Sequence, residues 1–193
     1  MEVQCNLTTA LDRCKCQQPV YWRLRKAQSS THDSLAGTNM TTALTSKQKN
    51  EQAAFARFAR AMEIESEWLS VCSRPEPEPD LLCVHATDGP IAFELVSLTD
   101  EDISKVQAAG SKARQDAFST SDPSERIIRK KLNKKYMTSV KRIELLVYTD
   151  GQIITPDDVI IPTILPWLDA TTHPFSCVWF MGERTTCRLW SPS

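Results

Sequence analysis

The chain has 193 residues but only five glycines, and none of them falls into a G-x-G-x-x-G turn or a Walker loop. Nucleotide cradles of the dinucleotide-binding or P-loop kind are therefore excluded. No stretch approaches the roughly 18 apolar residues of a membrane span. The beginning of the chain, with Glu2, Asn6 and Asp12, lacks the apolar centre of a signal peptide. The expectation is a soluble, cytoplasmic chain with no membrane partner. Neither sign of charge predominates, with 23 basic against 24 acidic residues, so any charged partner must be met by a local patch. The seven cysteines form no C-x-x-C knuckle and are odd in number. Cys72, Cys83, Cys177 and Cys187 lie in segments that read as buried, which predicts reduced thiols. A zinc site would have to recruit Cys5, Cys14, Cys16 and His32 without the paired spacing zinc uses. A nucleophilic cysteine or serine would need a histidine base, and His85 and His173 lie in contexts that read as structural.

What is present divides at about residue 45. Residues 1–45 are rich in Ser, Thr, Gln and Asn without periodicity, a polar N-terminal arm. Residues 46–193 carry regular patterns, and 41% hydrophobic content is enough for a core. From a cap at Thr45 or Ser46, KQKNEQAAFARFARAME reads as a helix with Phe55, Phe58 and Met62 on one stripe. Glu51 projects onto that stripe one turn before Phe55. WLSVCS reads as a strand, and DLLCVHA and IAFELVSL as a hairpin around Thr87-Asp88-Gly89. That loop pairs Ala86 with Pro90, Leu82 with Glu94 and Asp80 with Val96, so Asp80 and Glu94 become diagonal neighbours on one face, roughly 7–8 Å apart. A loop one residue shorter or longer would send them to opposite faces.

Residues 100–118 read as helical, broken at Gly110. SDPSERIIRKKLNKKY predicts a helix over 123–136 capped by Asp122. Projected along it, Lys131 lies beside Ile127 and Lys135 between Ile128 and Leu132, both bordering the apolar stripe, where lysines often snorkel. A strand follows (RIELLVYTDG), then a short helix opened by a Thr155 cap and Pro156, then a closing hairpin. The order predicts an α/β domain with a central mixed β-sheet flanked by helices.

Glu94 lies inside a sheet-like run, where an unpartnered carboxylate costs several kcal/mol. Asp80, Glu94 and Glu51 form a set of hard oxygen ligands suited to Mg²⁺ or Mn²⁺, which uses one or two carboxylates and leaves other positions to water and phosphate. Pro79-Asp80 and Glu94-Leu95-Val96, fourteen residues apart on consecutive strands, together with the element order over about 46–190, resemble the PD-(D/E)xK nuclease superfamily and its restriction-endonuclease-like fold. The resemblance implies a metal-dependent nuclease that hydrolyses phosphodiester bonds, in DNA before RNA. Asp80 and Glu94 would be the metal ligands, and Glu51 an auxiliary carboxylate. Val96 stands where the motif has lysine, so the resemblance implies a lysine supplied from the following helix, Lys131 or Lys135. The alternative is a catalytically degenerate nuclease-like module that binds nucleic acid or protein. Nucleases of this fold often pair, which adds a homodimer to the expectations without identifying its face. A third reading is an interaction protein whose arm folds on a partner.

Overall fold

The computed structural model describes residues 44–99, 122–151 and 153–192. Thr45–Ser193 forms one compact unit. The expected arm and the expected helical segment after Thr99 lie outside the described residues, as do Cys5, Cys14, Cys16 and His32.

Helix α1 (Ser46–Ala61) starts where the sequence indicates. Thr45 accepts from the Gln48 N–H, and the Gln48 side chain returns a bond to the Thr45 N–H, a complete capping box. A 3₁₀ turn at Glu65–Glu67 leads into β1 (Trp68–Ser73). Then come β2 (Leu81–His85), β3 (Gly89–Ser97), α2 (Ser124–Leu132), β4 (Ile143–Tyr148), α3 (Asp157–Ala170), β5 (Cys177–Met181) and β6 (Thr186–Trp190). The six strands form one sheet in chain order. β1, β2 and β3 are antiparallel neighbours, β3, β4 and β5 run parallel, and β6 returns antiparallel to β5.

Alternation along the strands separates two buried layers. Ile91, Phe93 and Leu95 of β3 pack with Phe55 and Phe58 of α1, joined by Leu81, Cys83, Leu146, Tyr148 and Met181. Rings meet edge to face there, Phe55 against Phe93 at 4.9 Å and against Trp68 at 5.1 Å between centroids. The intervening residues Ala92, Glu94 and Val96 turn to the other face. There Ile128 and Leu132 of α2 and Ile160, Ile164 and Leu168 of α3 are buried.

Four expectations need correction. The hairpin register is His85 opposite Gly89 and Leu82 opposite Ala92, so the three-residue loop is Ala86-Thr87-Asp88. Gly89, at φ +75°, closes the loop in the left-handed region. This register is displaced by two residues from the expected one; because side chains alternate with period two, the face of Glu94 is unchanged. Helix α2 stops at Leu132 rather than running to 136, with Asn133 as its C-cap. Asp122 accepts from the Ser124 N–H as a cap should, at 3.0 Å, but the helix begins at Ser124. Helix α3 has fourteen residues with no side-chain cap from Thr155. It tolerates Pro162 and Pro166 because both lie on its exposed side, where water satisfies the freed carbonyls. Finally, Cys72 is exposed, whereas Cys83, Cys177 and Cys187 are buried and all four are free. β1 is an edge strand, and the alternation turns Cys72 outward there.

Candidate active site

β2 begins one residue after Asp80, while β3 continues past it. Beyond the Leu81–Phe93 pair, the next hydrogen-bonding residue of β3 facing β2 is Leu95, and β2 supplies no backbone partner for it. Two side chains do. Asp80 Oδ2 accepts from the Leu95 N–H at 2.9 Å, and Lys131 Nζ donates to the Leu95 carbonyl at 3.3 Å. The buried backbone groups are thereby satisfied, as buried groups must be. A carboxylate and an ammonium are brought within one residue of each other at the strand end. Asp80 comes to this place because Pro75, Pro77 and Pro79 prevent regular pairing ahead of it.

Around Asp80, α1 contributes two groups. Lys47 Nζ lies 3.5 Å from Asp80 Oδ1, 3.4 Å from Glu51 Oε1 and 3.8 Å from Glu76 Oε1. Glu51 is 7% exposed and belongs to the stripe of Phe55, as its helical angle indicates, rather than to a solvated first turn. Burial, and then the adjacent Asp80 carboxylate, push its pKa up to about 7. A single proton or cation between Glu51 and Asp80 relieves the repulsion of two buried acids.

Around Glu94, α2 and the residues after it contribute the cations. Glu94 is fully buried, and its Oε1 receives Lys131 Nζ at 2.5 Å and Lys134 Nζ at 3.0 Å. Its Oε2 has no hydrogen-bond partner, and neither does the buried Tyr136 hydroxyl. Burial, followed by the charge of Glu94, the approach of the phenol to that carboxylate and more weakly the charge of Asp80, raises the Tyr136 phenol well above its ordinary value, although the two fall short of full hydrogen-bond geometry. Tyr136 thus senses both carboxylates, and it packs beneath Lys134, whose Nζ is 4.9 Å from the ring centroid.

Of the five residues expected from the sequence, Asp80, Glu94 and Lys131 meet at Leu95, and Glu51 joins Asp80 from α1. Lys135 does not. It is exposed and makes no contact with Glu94, because the helical projection fails after Leu132; Lys134, released from the helix, takes that place. Val96 is buried on the face of Glu94, so the motif's usual lysine position is apolar. The sequence reading missed Lys47, Lys134 and Tyr136. Lys47 was readable as the i−4 neighbour of Glu51, whereas Lys134 depended on knowing where α2 ends.

Among the described residues no group of three or more His, Cys, Asp or Glu is arranged to hold a metal ion. Magnesium needs fewer, since it keeps waters and takes one or two carboxylates. The donor set fits on two counts. Glu94 presents a buried oxygen with no partner, and the Lys47 ammonium stands in for a cation among three carboxylates. The cysteines do not compete as reactive groups, since burial pushes Cys177 up to about 12 and Cys83 higher still. His85 is tied to Glu67 at 3.0 Å.

No family model, curated protein or solved structure matches this chain. Among the described residues no helix is long and apolar enough to cross a membrane.

Proposed function

We propose that the chain is a metal-dependent nuclease, hydrolysing phosphodiester bonds in DNA, with a restriction-endonuclease-like domain. The observation that carries this reading is the start of β2 beside Leu95, where Asp80, Glu94 and two lysines converge and one carboxylate oxygen of Glu94 remains buried without a hydrogen bond. The consecutive sheet order, with Glu94 on β3, Asp80 one residue ahead of its antiparallel neighbour β2 and α1 delivering Glu51, supports the same reading.

Asp80 and Glu94 would hold a Mg²⁺ or Mn²⁺ ion, with Glu51 alongside. Such an ion polarises the scissile phosphate and makes a bound water more acidic. The chain's own groups do the rest. In hydrolysis a water oxygen bonds to phosphorus, the P–O bond to the leaving sugar oxygen breaks, and one proton passes from the water while the leaving oxygen gains one. Glu51, half-ionised near neutral pH, is suited to receiving the proton of the attacking water. Among the described residues Lys134 is tied only to Glu94 and to the Tyr136 ring, on a non-helical segment, and can turn to a phosphate oxygen and offset its growing charge. Lys131 is the more fixed of the two, because it also serves the Leu95 carbonyl, and it positions Glu94.

A binding module without catalysis would be favoured by lysines remote from the acids. Three ammonium groups within 3.5 Å of Asp80 or Glu94 weigh against it. Incubation of the purified chain with plasmid DNA and Mg²⁺ or Mn²⁺ tests the proposal. The expected result is nicking or linearisation that EDTA abolishes. Absence of cleavage with every DNA form, or cleavage that persists in the Asp80→Ala, Glu94→Ala chain, overturns it.

A further inference from the structure

Ile128 and Leu132 bury one side of α2 and thereby turn Arg126, Arg129 and Lys130 outward. Lys135, just beyond the helix, is exposed as well, while Lys131 and Lys134 fold over Glu94. Between Ser124 and Tyr136 six residues are basic and one, Glu125, is acidic. This stretch holds five positive charges in excess, whereas the whole chain carries −1, so the remainder is acidic by six. Charge is segregated here, not scattered.

Lys131 and Lys134 serve the fold by offsetting the buried Glu94, but the charges crowded beside them work against it. Arg126 and Lys130, Lys130 and Lys134, and Lys131 and Lys135 are like-charge pairs four residues apart. The first is helical and therefore repulsive, and the others crowd the same end. Arg129 is held by Glu125 at 3.3 Å and lies over the Trp167 ring at 4.3 Å. Lys130 and Lys135 make no ion pair among the described residues, so their charge is directed at something outside the molecule.

Resting on the nuclease reading, we infer that this outward band, with Lys130 and Lys135 at its centre, is the contact track for the phosphate backbone of a nucleic-acid duplex. It runs directly into the lysines at Glu94. A regularly charged polyanion can therefore lie along the band and present one phosphate to the carboxylates. Exposure favours a duplex over a single strand. Single-strand grooves need aromatic platforms for the bases, and the exposed large hydrophobic side chains among the described residues are Leu44, Leu69, Met137, Ile154 and Val159, none of them aromatic. Contacts of this kind position the duplex without reading its sequence.

The test is the salt dependence of binding of the full chain to a short labelled duplex, as DNA and as RNA, in EDTA so that nothing is cut. Each phosphate contact contributes about 0.9 to the slope of log K against log salt. The Lys130→Gln, Lys135→Gln chain is expected to lose roughly 2 from the magnitude of the slope. A chain with the same charge removed from α1, Lys49→Gln with Arg57→Gln, is expected to keep it. The duplex that shows this loss identifies the backbone recognised. An unchanged slope in the first variant, an equal loss in the second, or competition by polyglutamate as effective as that of the duplex overturns the inference, the last pointing to an acidic protein partner. Cleavage assays on the same samples separate the two claims: cutting with an unchanged slope removes the track alone, whereas a lost slope without cutting removes the nuclease alone.

Discussion

Asp157 and Glu94 are both buried carboxylates facing elements from elsewhere in the chain, but they are satisfied in different ways. Asp157, in the first turn of α3, accepts from the backbone N–H groups of Glu183, Arg184 and Thr185 in the β5–β6 loop, at 3.2, 2.9 and 2.9 Å. Gly182 lets the loop approach, since a Cβ there would overlap the Asp157 carboxylate. Both oxygens of Asp157 are filled by donors that cannot move without unfolding the hairpin. Glu94 has both of its ammonium partners on one oxygen and nothing on the other. Those partners are long side chains, 24% and 34% exposed, which can swing into water. A carboxylate closed by backbone is a fastening; one closed on one side by mobile cations leaves room for an exchange of partners. Burial alone does not distinguish them. The identity of the donor does.

The sharpest break of this comparison is made by substituting the acids. Asp80→Ala with Glu94→Ala is expected to remove cleavage altogether, a loss of more than about 10³-fold if each ligand matters as much as a single electrostatic group in other active sites. Thermal unfolding of the same variant is expected to shift only by the loss of one buried backbone acceptor, since the Leu95 N–H loses Asp80 while the freed lysines can reach solvent. Asp157→Ala should do the reverse. Leaving three buried N–H groups without an acceptor is expected to reduce stability by about 3 kcal/mol, read as a lower urea midpoint. Cleavage per folded molecule should be retained. If Asp157→Ala abolished cleavage in fully folded protein, or the double acid variant failed to fold, the distinction between fastening and site would be lost.

Within the site the two lysines extend the comparison, since Lys131 also serves backbone and Lys134 does not. Lys134→Met is expected to lower kcat about 10²-fold with an unchanged melting temperature. Lys131→Met should lower kcat and also the melting temperature, because the Leu95 carbonyl loses its donor. Lys135→Met, outside the pair, is expected to change kcat much less than either. Equal losses from Lys134→Met and Lys135→Met would mean that helix geometry continues past Leu132 in solution.

Much of the frame was legible because it is local. The strands WLSVCS, DLLCVHA and IAFELVSL, the capping box at Thr45 and the inward turn of Glu51 all follow from alternation, capping chemistry and helical angle. What was not legible depended on where elements end. The hairpin register moved by two residues because Gly89, which alone accepts the positive φ easily, closes the loop instead of sitting inside it. Parity preserved the face, so the conclusion about Glu94 survived a wrong pairing. Lys134 replaced Lys135 because α2 ends after nine residues, and neither propensity nor pattern in LNKKY marks that end clearly. The fastening role of Asp157 left no local mark, because its partners lie about 27 residues away in a loop that gives no sign of needing an acceptor.

The smallest expected effect concerns the second acid of the site, Glu51. Its folded pKa, near 7, lies above the ordinary carboxylate value of 4.5. The folded chain therefore holds a proton that the unfolded chain releases, and the contribution to stability is fully present below about pH 4.5 and is lost as pH rises through about 7. In metal-free buffer, Glu51→Gln removes this titration while keeping the shape of the side chain, so the urea midpoint of the variant should fall less than that of the parent between those limits. A Glu51→Gln chain whose pH profile superimposes on that of the parent would mean that water reaches Glu51 freely. The acids at α1 and β2 would then be solvated neighbours, not a coupled pair awaiting a cation.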